Sequence, residues 1–228
     1  MNYLVATTKS WNIEAFSACT PDMPGTWHLI TQPAQLNKAL LDELKPIYIF
    51  FPHWSWRVAE DITTTYPCVC FHMTDLPFGR GGSPLQNLIS QGIKQTQLTA
   101  LRMSDELDAG PIYAKYPLDL SGTAQQIFER AAPLTYYLIN RIVTEKLLAQ
   151  PQNGDVVYFS RRLPSQSQLP SQLSSEALYD FIRMLDAETY PNAYLEYGHW
   201  RLEFSRAEST PDGTVMAKVR FTPRKGTE

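Results

Sequence analysis

The segment of residues 72–89 joins a histidine to a turn rich in glycine and proline. His72 stands where an apolar run, predicted to be a buried strand, comes to its end. Ligands of open parallel sheets bind just beyond the carboxyl ends of the strands. A histidine in that place can take up a proton from a reacting group and return it later. The sequence therefore predicts acid–base chemistry centred on His72.

A metal site is the rival interpretation of the same strand. Cys68, Cys70 and His72 alternate along it, which would place their three side chains on one face. Such a set could begin a zinc site, with His53 as a fourth ligand. The spacing differs from the C-x2–4-C pattern of structural zinc, and cysteines are common in buried strands. The sequence therefore favours a site without a metal ion.

Two blocks of sequence carry a resemblance to a known family. The first resembles, at the same spacing, the H-x-S-L-L-P-x-x-R-G-x-x-P signature of the formyltransferases that use 10-formyltetrahydrofolate; its matching positions are His72, Thr74, Leu76, Pro77, Arg80, Gly81 and Pro84. Thr74 replaces the usual serine, and Asp75 stands where an apolar residue is common. The second block, residues 103–112, is similar to the family loop that ends in L-D-x-G. The resemblance covers about residues 45–165.

The resemblance implies transfer of a formyl group from the N10 atom of a reduced folate to an amine. His72 would move the proton, and Asp108 matches the family aspartate that either orients the imidazole and stabilises its cationic form or orders a relay water. The family asparagine two residues before the histidine is replaced here by Cys70. Loss of one such oxyanion donor typically costs about 100- to 1000-fold in rate, and a thiol is a weak donor. Candidates for a substitute donor are His53, Asn12 and a backbone N–H.

Residues 47–56 fall where family members have a strand and the pterin-binding loop, and residues 103–108 would close the other side of the pterin. The residues expected to bind the folate are His53, Trp54, Ser55, Trp56, Met103 and Asp105. The tryptophans could instead be ordinary core or surface aromatics. The residues expected to face the acceptor are Lys9, Asn12 and Arg80, although an arginine in a Gly-rich turn often braces the loop instead. The loop after the first predicted strand lacks G-x-G-x-x-G, which argues against a dinucleotide.

The elements that must hold these residues alternate between strands and helices. Strands are predicted at 3–7, 27–31, 47–51, 69–71, 98–103 and 112–115, and helices at 33–45, 58–64 and 123–149. Pro133 should kink the last helix or split it in two. This order predicts an α/β fold with a mostly parallel, Rossmann-like sheet, which is also the fold that the resemblance implies.

A change of composition near residue 163 divides the chain. Residues 163–175 are rich in Ser, Gln and Pro, as in a linker, and are followed by a predicted helix at 175–185 and strands at 193–206 and 214–221. We predict a catalytic domain at 1–163, then a linker and a small C-terminal α+β extension at 164–228. The extension could pair two chains into a homodimer, because elements of this size often bury an apolar face against a partner.

The amino-acid composition is informative about the location and the partners of the protein. Its 228 residues are 43% hydrophobic and 19% charged, with three cysteines and a formal net charge of -3. The sparse cysteines suit a reducing cytoplasm, and no apolar run is long enough to suggest a membrane span. The acidic balance predicts that nucleic acid is not a partner, because phosphate binding uses an excess of cations.

The acceptor is the remaining question, and here the expectation rests on resemblance. Residues 182–194 are similar to the C-terminal part of amino-sugar members, which predicts an amino-sugar substrate, nucleotide-linked or acidic, in the synthesis of a bacterial surface glycan. Two alternatives stay open. One is a catalytically impaired folate or sugar binder that keeps the scaffold, and the other is a formyltransferase acting on a different amine such as methionyl-tRNA.

Overall fold

The computed structural model describes residues 1–188 and 190–224. The strands are β1 (Asn2–Ala6), β2 (Thr26–Ile30), β3 (Tyr48–Phe51), β4 (Cys68–His72), β5 (Arg80–Gly81), β6 (Gln95–Arg102), β7 (Ile112–Asp119), β8 (Tyr158–Phe159), β9 (Ala193–Tyr197), β10 (Trp200–Ser209) and β11 (Val215–Pro223). The α-helices are α1 (Ser10–Cys19), α2 (Lys38–Leu44), α3 (Glu60–Thr65), α4 (Pro84–Ser90), α5 (Ala124–Glu145) and α6 (Ser175–Arg183). No helix of the described residues is long and apolar enough to cross a membrane.

A six-stranded sheet has the order β2-β1-β3-β4-β6-β7. β1 is parallel to β2 and β3, and β3 is parallel to β4, whereas β4 and β6 are antiparallel. The expectation of an α/β fold with a mostly parallel sheet is therefore confirmed. Because β3 and β4 run in the same direction, with Phe51 opposite Cys70, the residues that follow both strands lie at one edge of the sheet.

The inner strands β1 and β3 are apolar and almost fully buried, as expected for strands that are covered on both faces. One cluster of buried side chains joins β1, β2, β3 and β4 to the helices α2 and α3; its members are Leu4, Ala6, Ile30, Leu41, Ile49, Phe51, Ile62 and Cys68. Full burial of one such aliphatic side chain contributes about 1.5–3 kcal/mol. The cluster gives the ends of β3 and β4 a rigid base.

Helix α5 continues through Pro133 as one element, so of the two outcomes expected for Pro133 the split into two helices does not occur. An internal proline removes a backbone hydrogen bond and costs about 3 kcal/mol. The apolar face of α5 offsets this cost, since Phe128, Leu138, Ile139 and Ile142 are buried almost completely. Packing therefore outweighs the local preference of the proline.

Packing groups the chain into two compact units. The first comprises residues 1–81, 96–118 and 128–158, and the second comprises residues 82–95 and 119–127 with the C-terminal residues from 159 onward. The division at 163/164 that we expect from sequence stays a prediction. The range 164–228 includes Thr189 and residues 225–228, which lie outside the described residues.

The second unit contains the small α+β extension that the sequence predicts. Its three antiparallel strands have the order β11-β10-β9. Helix α6 begins at Ser175, where the Ser174 hydroxyl accepts a hydrogen bond from Ala177 N. Near the other end of α6, the buried Arg183 is paired with Asp180 at 2.6 Å and donates to the carbonyl of Leu120. A buried charge held in this way avoids the penalty of an unpaired ion.

Candidate active site

His72 ends β4 and is 7% exposed. Its Nε2 atom lies 2.7 Å from the carbonyl oxygen of Gly79. Because a carbonyl only accepts hydrogen bonds, we assign the hydrogen of this contact to Nε2. Nδ1 lies 3.5 Å from Oδ2 of Asp108. The structure thus brings the two expected catalytic residues together, with one imidazole nitrogen anchored and the other facing a carboxylate.

Asp108 sits on a tight turn between β6 and β7 at φ +54°, in the left-handed region that aspartate tolerates better than most residues. Its Oδ2 atom accepts a hydrogen bond of 3.0 Å from Gly81 N. The turn also depends on Gly110, because a Cβ there would lie 1.8 Å from the carbonyl oxygen of Arg102. Backbone packing therefore requires the glycine of the L-D-x-G block at this position.

Arg80 is buried and faces protein groups. Its Nε and Nη2 atoms donate to Oε1 of Gln152 at 3.1 and 2.8 Å, and Nη1 lies 3.3 Å from Oε1 of Glu106. The carboxylate of Glu106 also accepts a hydrogen bond of 2.7 Å from the hydroxyl of Tyr158. Of the two roles expected for Arg80, binding of the acceptor and support of its own loop, these contacts match support of the loop.

Gln152 is the residue of this network that sequence reasoning missed. Its Nε2 atom donates to the carbonyl oxygens of Asp108 at 2.7 Å and Gly110 at 2.9 Å. It lies in a polar segment after the longest helix, outside both blocks of the resemblance. No periodicity or spacing in the sequence marks it.

Cys70 precedes His72 on the same face of β4, where the family pattern has asparagine. Burial raises the pKa of its thiol above the ordinary value, and the negative charge of Asp108 raises it further. The thiol is therefore neutral, and it donates a weak hydrogen bond to the carbonyl of Leu101, with 3.8 Å between the heavy atoms. Cys70 offers the reaction a poor donor in place of an amide.

His53 follows β3 at the sheet edge where β4 ends, and it has φ +53°. Its ring packs edge-on against Trp11 and Phe128, with centroid distances of 5.4 and 4.7 Å. Burial lowers its pKa from 6.5 to about 3, and the positive charge of Lys9 contributes to this shift. His53 is therefore a neutral imidazole over the physiological pH range.

Lys9 and Asn12, expected to face the acceptor, flank the start of α1. The Lys9 ammonium lies 5.6 Å from the centre of the Trp11 ring. Asn12 is 3% exposed, and its carbonyl oxygen accepts a hydrogen bond of 2.9 Å from the Tyr136 hydroxyl. The hydrogen bond from Tyr136 joins the first turn of α1 to α5.

The residues expected to bind the pterin divide by exposure. Trp54 and Met103 pack against the buried cluster of the sheet, and Trp54 Nε1 is buried without a hydrogen-bond partner in the structure. Ser55, Trp56 and Asp105 are exposed. An apolar wall that carries an unused donor fits a flat heterocycle with acceptor atoms, so this part of the chain is compatible with a reduced folate.

No group of three or more His, Cys, Asp or Glu side chains among residues 1–188 and 190–224 is arranged to hold a metal ion. Cys68, the first member of the zinc alternative, is buried in the cluster of the sheet, and its Sγ contacts the carbonyl of Ile62 at 4.0 Å.

Several known proteins are similar to this chain in sequence or in fold. A family model described as the C-terminal domain of methionyl-tRNA formyltransferase matches residues 164–222. The solved methionyl-tRNA formyltransferase from Clostridium thermocellum is 44% identical, has a TM-score of 0.94, and the match covers 98% of this chain and 100% of that one. A methionyl-tRNA formyltransferase from Lactobacillus delbrueckii subsp. bulgaricus is 31% identical over 68% of this chain and 51% of that protein. A sugar N-formyltransferase from a Shewanella species, 16% identical with a TM-score of 0.65 over 98% of both chains, is similar in fold alone.

This chain belongs to the family of folate-dependent formyltransferases. The expected enzyme class and the expected formyl donor of that class, 10-formyltetrahydrofolate, are thereby confirmed for the family. The relatives with substantial identity are methionyl-tRNA formyltransferases. The chain spans about half the length of the curated relatives it matches.

Two expectations from sequence are wrong. An amino-sugar acceptor is contradicted because the 44% and 31% identical relatives are both methionyl-tRNA formyltransferases. The prediction that nucleic acid is not a partner is wrong for the same reason. Net charge is a sum over the whole surface, whereas phosphate contacts require only a local group of cations. The C-terminal region agrees with this correction, since residues 164–222 match a model of the C-terminal domain of methionyl-tRNA formyltransferase.

Proposed function

We propose that this protein transfers a formyl group from 10-formyltetrahydrofolate to the amino group of methionyl-tRNA. The observation that carries the proposal is the 44% identity to a methionyl-tRNA formyltransferase across 98% of this chain. The contact between His72 and Asp108 supports it, because an acyl transfer to an amine requires a group that moves a proton.

In this mechanism the bound folate supplies the formyl group, and the protein moves the protons. Nε2 of His72 stays bound to the Gly79 carbonyl, so Nδ1 is the atom that accepts the proton from the attacking amine and later returns one to the leaving nitrogen. The carboxylate of Asp108, 3.5 Å from Nδ1, stabilises the imidazolium that forms between these two steps.

The loop that follows β3 would hold the folate. Trp54 and Met103 would supply an apolar wall, and the buried, unpartnered Nε1 of Trp54 would be available to donate a hydrogen bond. His53, Ser55, Trp56 and Asp105 would complete the contacts. Lys9 and Asn12 approach the acceptor from the start of α1, where a lysine suits the phosphates of an RNA.

Cys70 favours a second candidate function. A neutral thiol replaces the amide donor, so a folate-binding relative with little or no catalysis is the alternative to an active transferase. The active transferase and the folate-binding relative would both bind folate, but they would differ in the rate of product formation. His53 as a neutral imidazole, or a backbone N–H, is the substitute donor that an active enzyme requires.

The experiment is formylation of methionyl-tRNA with 10-formyltetrahydrofolate, accompanied by calorimetric titration with 5-formyltetrahydrofolate. We expect formylmethionyl-tRNA from the wild type and none from His72→Asn, with both proteins binding the folate. Folate binding without product would establish the impaired binder. Absence of both would overturn the proposal, and an uncharged tRNA serves as the control for the acceptor amine.

A further inference from the structure

The side chain of Gln152 uses its entire hydrogen-bonding capacity within the candidate active site. Oε1 accepts two hydrogen bonds from the guanidinium of Arg80, and Nε2 donates two, to the carbonyls of Asp108 and Gly110. The four distances lie between 2.7 and 3.1 Å. A primary amide has two lone pairs and two N–H groups, so none is left over.

Gln152 is itself held by the sheet. Gln150, two residues earlier, exchanges both backbone hydrogen bonds with Ile112 at the start of β7, at 2.7 and 2.8 Å. The amide of Gln152 is thus supported on the same strand that the turn of Asp108 leads into. Because this segment is hydrogen-bonded to β7 through its backbone and to the turn through Gln152, it can hold the turn of Asp108 in a fixed position.

The two ends of Asp108 are fixed by different groups. Gln152 holds its backbone carbonyl, and Gly81 N holds its carboxylate. The residue lies at φ +54°, a conformation that costs energy for a residue with a side chain and persists only when its surroundings enforce it. Release of the carbonyl would leave only the contact at Gly81 to direct the carboxylate towards His72.

We propose that Gln152 is a positioning residue for the reaction, which holds the turn of Asp108 so that the carboxylate faces Nδ1 of His72. Arg80 completes the same brace: it orients the amide of Gln152 and precedes Gly81, the donor to Asp108. The expected effect on formyl-transfer kinetics rests on the proposed function. The expected effect on the position of the Asp108 turn rests on the hydrogen-bond network alone.

The chemistry of the site distinguishes glutamine from its isostere. A glutamate at position 152 keeps the acceptors for Arg80, yet it places a carboxylate against the carbonyls of Asp108 and Gly110 in place of two donors. Gln152→Glu therefore removes the hydrogen bonds to the carbonyls of Asp108 and Gly110 and keeps those from Arg80, whereas Gln152→Ala removes all four. Gln150→Ala is the matched control, since the side chain of Gln150 is exposed and, among the residues that the structure describes, donates its hydrogen bond to the carbonyl of Leu148, outside the site.

The kinetic test compares these three variants with the wild type in formyl transfer to methionyl-tRNA. We expect kcat to fall about 10- to 100-fold in Gln152→Glu and Gln152→Ala, with KM for the formyl donor changed less than about threefold. Gln150→Ala should match the wild type. A Gln152→Glu protein with the kcat of the wild type would overturn the proposal.

A second readout needs no activity. Amide hydrogen exchange, followed by NMR, should show lower protection at Gly81, whose N–H is bound to Asp108, in both Gln152 variants. Protection at Arg80, whose N–H is bound to the carbonyl of Val157, should be unchanged. Unchanged protection at Gly81 would refute the positioning role. Loss of protection in a protein whose wild type forms no product would instead support Gln152 and reject the proposed function.

Discussion

Nδ1 of His72 lies 3.5 Å from Oδ2 of Asp108, while the opposite nitrogen of the ring is held by the Gly79 carbonyl. The ring therefore cannot turn away from the carboxylate without breaking a 2.7 Å hydrogen bond. This arrangement assigns one fixed and one reactive nitrogen to the histidine.

Asp108→Asn should lower kcat by about 1000-fold, because the amide keeps the shape of the side chain but removes the charge that stabilises the imidazolium. Asparagine tolerates a positive φ, so the turn should keep its form. Formylation kinetics measure the effect, with the exposed Asp155→Asn as the control for loss of one negative charge. An Asp108→Asn enzyme within about tenfold of the wild type would exclude the proposed role of the carboxylate.

Cys70→Asn should raise kcat by about 10-fold or more, because it supplies the amide donor that the thiol replaces. Cys70→Ser and Cys70→Ala make a graded series, since a hydroxyl donates better than a thiol and a methyl group does not donate. The order Asn above Ser above wild type is expected from single-turnover rates. Equal rates across the series would mean that another group already stabilises the formyl oxygen, which would direct attention to His53.

The free energy of unfolding should fall as the pH decreases from about 6.5 towards 4. The folded protein holds the pKa of His53 at about 3, whereas the unfolded chain has the ordinary value of 6.5. Between these values the unfolded state binds the additional proton, so acid favours unfolding, by at most about 1.4 kcal/mol per pH unit for one such group. Partial exposure of His53 reduces that limit.

Urea denaturation at several pH values measures this dependence. His53→Asn, which tolerates the positive φ and carries no titratable group, should flatten the slope of stability against pH relative to the wild type. Parallel slopes in the wild type and His53→Asn would contradict burial of a neutral His53.

Gly110→Ala should destabilise the protein by about 3 kcal/mol and reduce formyl transfer, because the added Cβ would meet the carbonyl oxygen of Arg102 at 1.8 Å. Gly92→Ala is the contrasting variant: its Cβ would meet nothing within 4 Å, so only the strain of φ +73° remains, about 1 kcal/mol. Thermal unfolding compares the two. A smaller loss in Gly110→Ala than in Gly92→Ala would show that the turn between β6 and β7 moves freely.

Much of the architecture follows from local sequence. Buried parallel strands such as Tyr48–Phe51 have to be apolar on both faces, and that pattern is visible without a structure. Residues of one motif can also be located from the sequence, because His72 and its Gly- and Pro-rich turn form one continuous stretch of backbone. The split that Pro133 could have produced is absent, because the cost of a proline is local whereas the burial that offsets it depends on the whole fold.

What the sequence by itself determined was the class of fold, the positions of His72 and Asp108 in two recognisable blocks, and the substitution at Cys70. Only the tertiary structure decided that Arg80 binds Gln152, a residue 72 positions away, and that Gln152 in turn holds Asp108. A glutamine in a polar segment has no periodicity and no fixed spacing to its partners. Its hydrogen bonds arise when separate segments meet in space, so their geometry is readable only after the chain has folded.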